Sequence, residues 1–143
     1  MTETNESPPI SPYLLYADAG AAVDWLGEAF GFTETVRFAD DEGNVHHAEM
    51  TLGDGLIMLG HPGADYQGPD ALGGVTVMVH VYVPDVDAHH AQAVAAGATV
   101  LRPPTDETYG DRRYDVKDLE GHVWSFATFQ RNVPPEEWGA TAP

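Results

Sequence analysis

His47 and Glu49 stand two residues apart in an alternating run, Val45-His-His-Ala-Glu-Met-Thr-Leu52. A strand there projects both side chains from one face. Met78, His80 and Tyr82 repeat the arrangement in a second alternating run, where Val75, Val77, Val79, Val81 and Val83 take the opposite face. If both polar faces line one cavity, His47, Glu49 and His80 have the 2-His-1-carboxylate composition of some iron sites. Without a metal, His80 with Glu49 behind it is a general base and its orienter, provided a substrate proton comes within hydrogen-bond reach. The bland reading of the same residues is a set of hydrogen-bonded wall groups. The doublets His46-His47 and His89-His90 look like chelators, but neighbours on a strand point to opposite faces, so the first doublet cannot close on one ion.

Other chemistry is excluded. There is no cysteine, hence no disulfide, thiolate metal site or thiol nucleophile. No Ser-His-Asp order and no Gly-rich phosphate loop can be recognised. What remains is a pocket wall of Met78, His80, Tyr82, His47, Glu49, Thr51 and Ser125, largely uncharged with a few polar handles, as small-molecule cavities are built. Tyr109 and Arg112, from a loop beside the last strands, would close its mouth. Arg112 would take a ligand carboxylate or phosphate, or else pair with Asp111, Asp115 or Glu49.

The elements that must position these residues can be traced along the chain. Tyr13-Leu-Leu-Tyr16 has strand length, and Asp18 is an N-cap for a helix in which Ala22, Val23, Leu26, Ala29 and Phe30 recur at helical spacing up to Gly31. Thr33 to Phe38, Val45 to Leu52 and Leu56 to Leu59 follow as strands, with a hairpin turn over Asp40 to Asn44. Residues 61–74, rich in Gly, Pro and Asp, lack periodicity and read as a linker. The pattern then repeats: a long strand from Val75, a helix capped by Asp85 or Asp87 and closed near Gly97, then strands at Ala98 to Leu101, Asp111 to Val116 and Gly121 to Phe129. Arg102 to Gly110 reads as a Pro-containing loop. Trp124 and Phe126 share the face that packs on a helix. The fold class is therefore α+β: two βαβββ units, 11–60 and 75–130, forming a curved mixed sheet around a cavity. A tail precedes them (1–10) and another follows (131–143), all within one domain.

Composition bounds the partners. The 143 residues carry 23 acidic against 6 Lys plus Arg side chains, a formal net charge of −17, and hydrophobic residues make up 43%. That apolar share suits a globular core. The charge repels nucleic acid and anionic membranes; it keeps the surface soluble and favours cationic small-molecule ligands. No apolar run spans a membrane, and the acidic start is not a signal peptide, so a cytoplasmic location is expected.

Several segments, in this order and spacing, carry a family resemblance: Pro12-Tyr-Leu-Leu-Tyr-Ala-Asp18, Ala29-Phe-Gly-Phe32, Val83-Pro-Asp-Val-Asp-Ala88, Ala95-Ala-Gly-Ala98, Tyr109-Gly-Asp-Arg112, Asp118-Leu-Glu-Gly-His-Val-Trp124 and Ala127-Thr128. Together they resemble the vicinal oxygen chelate superfamily of glyoxalases, bleomycin-resistance proteins and extradiol dioxygenases, and within it the PhnB-like branch, over about Ser11 to Phe129. The resemblance implies a glyoxalase/bleomycin-resistance-like fold and a homodimer, with Trp138 and the C-terminal tail as interface parts. Metal-dependent members hold a divalent ion with four inward-facing ligands, usually His, Gln or Glu. Carried over by spacing, those places fall on Ser11, Met58 (or its neighbour Leu59), Met78 and Ser125, none a good ligand for a divalent first-row ion. The expectation is thus no metal and no cofactor, and a binder of small molecules such as antibiotics or metabolites. The alternative is a lyase, isomerase or dioxygenase with a divalent metal relocated to the His/Glu cluster.

Overall fold

A computed structural model describes residues 7–143; the first six residues of the 1–10 tail lie outside the described residues. In the first half, β1 (Tyr13–Leu15), α1 (Ala19–Phe30), β2 (Thr33–Ala39), β3 (Val45–Leu52) and β4 (Gly55–Gly60) form a sheet of order β1-β4-β3-β2. After a four-residue helix α2 (Pro69–Leu72), β5 (Met78–Tyr82), α3 (Val86–Ala95), β6 (Thr99–Asp106), β7 (Asp111–Lys117) and β8 (Val123–Phe129) form a second sheet of order β5-β8-β7-β6. In each sheet the first strand runs parallel to the last and the other pairings are antiparallel. The architecture is the α+β one read from the sequence.

Each long helix forms where its cap and apolar stripe dictate. The Asp18 carboxylate accepts from the Ala21 amide at 3.0 Å, and Ala22, Val23, Leu26, Ala29 and Phe30 are buried, which fixes how α1 lies on its sheet. At α3 the cap is Asp85, whose carboxylate accepts from the Ala88 amide at 3.1 Å. Asp87 sits in the first turn instead, where its charge suits the helix dipole.

The core is shared by the two halves. Phe30 packs on Phe126 and Trp124 with ring centroids 4.7 and 5.4 Å apart, and Phe32 lies 5.5 Å from Trp124. Trp124 and Phe126 are therefore core, facing the helices. Buried His89 binds across the same seam: its Nε2 lies 2.9 Å from the Phe30 carbonyl oxygen and its Nδ1 2.6 Å from the Tyr114 hydroxyl. A second tie centres on Asp118, whose carboxylate accepts from Tyr16 Oη at 2.6 Å and Trp124 Nε1 at 3.0 Å. Glu120, two residues on, accepts from the amides of Ala17 and Asp18.

Three segments depart from the sequence reading. β6 continues through Pro103 and Pro104, which the sequence suggested were loop. It is an edge strand with register shifts on both sides of Arg102, and an edge tolerates residues that lack an amide donor. β5 is shorter than its valine alternation, starting at Met78. Residues 61–74 are anchored: Tyr66 donates to the Leu15 carbonyl at 2.7 Å, and α2 lies against the turn at Gly121. Among the described residues no helix is long and apolar enough to cross a membrane.

Candidate functional site

Both sheets turn one face to the helices and present the other outward. On the first sheet Ala48, Met50, Ile57 and Leu59 are buried beneath α1. By strand alternation the outer face then carries Tyr13, Met58, Glu49 and His47, with Tyr13 opposite Met58 and Met58 opposite Glu49. His47 and Glu49, expected to project together, do so: His47 Nε2 lies 2.9 Å from Glu49 Oε2. The other ring nitrogen, Nδ1, lies 2.7 Å from the hydroxyl of Tyr13.

The outer face of the second sheet follows from Tyr114, Val116, Trp124 and Phe126 being buried on the helix side. Opposite them project Met78, His80, Tyr82, Ser125, Arg113 and Asp115, with His80 directly across from Ser125 and Ser125 across from Asp115. His80 Nδ1 lies 3.0 Å from Ser125 Oγ, and Tyr82 donates to Asp111 at 2.7 Å. Arg113 is tethered to Asp115 at 3.1 Å, to the Tyr109 hydroxyl at 3.3 Å and to the Met78 sulfur at 3.7 Å. Burial lowers the pKa of His80, and the neighbouring Arg113 charge lowers it further against the pull of Asp111 and Asp115. These effects favour the neutral form of His80. Tyr82 is shifted upward, chiefly by its hydrogen bond to Asp111.

Two expectations are corrected here. Arg112 does not reach the face that carries His80. It points to the helix side and bonds Asp87 at 3.2 Å and Asp106 at 3.1 Å, because strand alternation sends neighbours to opposite faces. Arg113 takes the place expected of Arg112; buried Tyr114 and Val116 were the signal, since they force Arg113 and Asp115 outward. Nor do His80 and Glu49 form a base and its orienter: Glu49 is bonded to His47, and His80 to Ser125 on the other sheet. Tyr13 was not singled out from the sequence either, where it read as one apolar residue of a short strand. Its signal is Gly60, the small residue over which its ring lies.

Between the edges of β1 and β5 runs a cleft of about 560 Å³, lined by residues 10–15, Tyr66, residues 77–80, His122 and Val123. A second of about 400 Å³ joins His80 and Tyr82 to residues 52–57, while Glu49 borders a separate shallow hollow with Thr35 and Thr51. The four places implied for a divalent ion do not suit one. Met58 and Met78 offer thioethers, Ser125 is fully buried beneath His80, and Ser11 Oγ is a buried neutral hydroxyl without a partner. Soft sulfur and neutral hydroxyls bind hard or borderline divalent ions poorly. The relocated set fares no better: among the described residues, no three His, Asp or Glu side chains converge to hold an ion.

The family model of the Glyoxalase/Bleomycin resistance protein/Dioxygenase superfamily matches residues 10–126. The uncharacterized protein Mb0911c of Mycobacterium bovis is 36% identical over 138 residues, covering 93% of this chain and 91% of its own. Among solved structures, TioX from Micromonospora sp. ML1 is 38% identical, with a TM-score of 0.71 over 84% of this chain and 97% of TioX. A glyoxalase/bleomycin resistance protein/dioxygenase from Nocardioides, 20% identical, shares the fold with a TM-score of 0.65 over 92% of this chain and 90% of its own.

Proposed function

The chain belongs to the Glyoxalase/Bleomycin resistance protein/Dioxygenase superfamily, and on that premise we propose that it is a small-molecule-binding protein that holds its guest without a metal, sequestering an antibiotic or metabolite. One observation supports this reading: at the four places the resemblance implies for metal ligands, the chain has the thioethers of Met58 and Met78, the buried Ser125 and the unpartnered hydroxyl of Ser11. The clefts beside β1 and β5 supply an apolar lining with few polar handles, which suits an organic guest. The net charge of −17 favours a cationic one.

Within the superfamily we place the chain in the PhnB-like branch, on the segments around Asp18, Asp85 and Asp118, and in the cytoplasm. We further propose a homodimer. Val36, Phe38, Leu101 and Phe129 are exposed, and a second copy would cover them. Light scattering of the purified protein tests this, with a mass of one chain as the refuting result.

Titration calorimetry of untagged protein with a panel of basic glycopeptides, aromatic amines and matched neutral compounds tests the function. Binding at one site per chain without turnover is the expected result. A stoichiometric zinc, nickel, iron or manganese that is lost on His47→Ala or His80→Ala would overturn it in favour of a metalloenzyme.

A further inference from the structure

Tyr13, His47 and Glu49 form a hydrogen-bonded row across three strands, and its direction can be worked out. Tyr13 on β1 reaches His47 on β3 by lying over β4 at Gly60. A Cβ at residue 60 would stand 2.7 Å from Tyr13 Cε1 and 3.1 Å from its Oη, so only glycine leaves the ring its place. The Glu49 carboxylate can only accept, so the hydrogen between it and His47 sits on Nε2. A neutral ring then has its lone pair on Nδ1, and the Tyr13 hydroxyl donates into it over 2.7 Å. The phenol has thereby used its single hydrogen.

What the row offers outward is therefore acceptors alone: the remaining lone pairs of Tyr13 Oη, and Glu49 Oε1, to which no described residue donates. The row is open to a guest, with Tyr13 51% exposed and the side chains of His47 and Glu49 at 28% and 24%. No cation of the first half competes for it. Arg37 is the one Lys or Arg among residues 1–101, and it is bound to Glu34 with Asp24 beside it. His46, on the neighbouring residue, is held by Asp40.

We propose that Tyr13, His47 and Glu49 are the recognition point for a positively charged nitrogen donor on the guest, an ammonium or amidinium group. The inference rests on the small-molecule-binding reading above: Tyr13 joins the row to the cleft beside β1, and Glu49 borders the separate hollow with Thr35 and Thr51. A cation donates to both free acceptors and meets the carboxylate charge, whereas a carboxylate or phosphate finds no hydrogen there to accept. The row also reverses. A second proton on His47 would occupy Nδ1 and turn it into a donor towards Tyr13, freeing the phenol hydrogen to point outward. The groups facing His47 are Tyr13 from β1 and Glu49 from its own strand; its rung partners Gly60 of β4 and Phe38 of β2 bear no charge. A bound cation and this reversed arrangement of the row therefore exclude each other.

Imidazole nitrogen NMR with benzylammonium, benzyl alcohol and benzoate as matched probes tests this. The expected results are the Nε2–H form of His47 in the neutral protein and saturable His47 shifts with benzylammonium alone. Glu49→Gln should weaken benzylammonium by about tenfold or more, the loss of one charge-assisted contact. Gly60→Ala, which keeps all three side chains but displaces the Tyr13 ring, should weaken it severalfold, and a retained amide spectrum shows that the variant folds. An Nδ1–H form, equal binding of benzoate, or benzylammonium affinity indifferent to Glu49→Gln overturns the inference. If panel compounds bind but shift only Met78, His80 and Arg113, this inference fails while the binding function stands. If neither benzylammonium nor any panel compound binds, both fail.

Discussion

Removing the carboxylate of Asp118 should be among the most costly single changes in the second half. Asp118 is only 6% exposed and accepts four hydrogen bonds: from Tyr16 Oη at 2.6 Å, from Trp124 Nε1 at 3.0 Å, and from the amides of Glu120 and His122 at 3.0 Å. In Asp118→Ala the two amides belong to half-buried residues and can turn to water. The Tyr16 and Trp124 donors cannot, since both residues are fully buried. An orphaned buried donor costs about 1–3 kcal/mol, so the pair sets a loss of roughly 2–6 kcal/mol. Urea unfolding followed by tryptophan fluorescence measures it. The cost has a partner-specific signature: Tyr16→Phe should be destabilising in the wild-type background but close to neutral in Asp118→Ala, where it removes a donor that already lacks an acceptor. A loss below about 1 kcal/mol, or full additivity of the two substitutions, would refute the claim that this carboxylate joins the halves.

Two further outcomes follow from other parts of the molecule. Burial lowers the pKa of His89 despite its hydrogen bond to the Phe30 carbonyl, so the unfolded chain takes up this proton first. Stability should be level above about pH 7 and decline as pH falls below about 6.5, flattening once the folded state is protonated too; His89→Gln should remove that part of the slope in unfolding curves taken across pH 4–8. Arg113→Ala should alter the affinity of whichever panel compound binds, while Arg112→Ala should leave it unchanged in the same calorimetry, because Arg112 is held by Asp87 and Asp106 on the opposite face; an effect from Arg112 alone would show that the two faces have been misassigned.

The fold was legible because its signals are local. Asp18 caps a helix whose apolar residues recur at the right interval, and Val45 to Leu52 alternates without a break, so cap chemistry and period decide those elements before any tertiary contact forms. The site was legible only in part. His47 and Glu49 were found together because they lie on one strand, where two-residue spacing guarantees a shared face. The supposed third member, His80, lies on a different sheet, and no periodicity measures the distance between sheets. Arg112 follows a stretch, residues 102–110, that reads as a loop and so hides which face it takes, whereas the parity of Tyr114 and Val116 turns Arg113 to the face of His80. The prolines of β6 conceal a strand because a central strand excludes them and an edge strand does not, and edge position is a tertiary property.

Tyr13 shows most clearly where such reading stops and what kind of signal lies beyond it. In a three-residue strand its alternation is too brief to assign a face, and its partner lies two strands away. The information sits instead in Gly60, a residue with no chemistry of its own, whose missing side chain lets a ring from β1 cross β4 and meet an imidazole on β3. The same logic holds where the two halves join: the Leu15 carbonyl receives hydrogen bonds from both Tyr66 and His122 at 2.7 Å, so a stretch that reads as a linker and a histidine that reads as a turn residue together anchor the edge of β1. That edge borders the larger apolar cleft, and Tyr13 extends from it. The halves therefore do more than repeat one another. The second half and the intervening segment hold β1 where its tyrosine can lie over Gly60, so substitutions at Tyr66 or His122 should disturb the Tyr13–His47 contact through the Leu15 carbonyl they both bind.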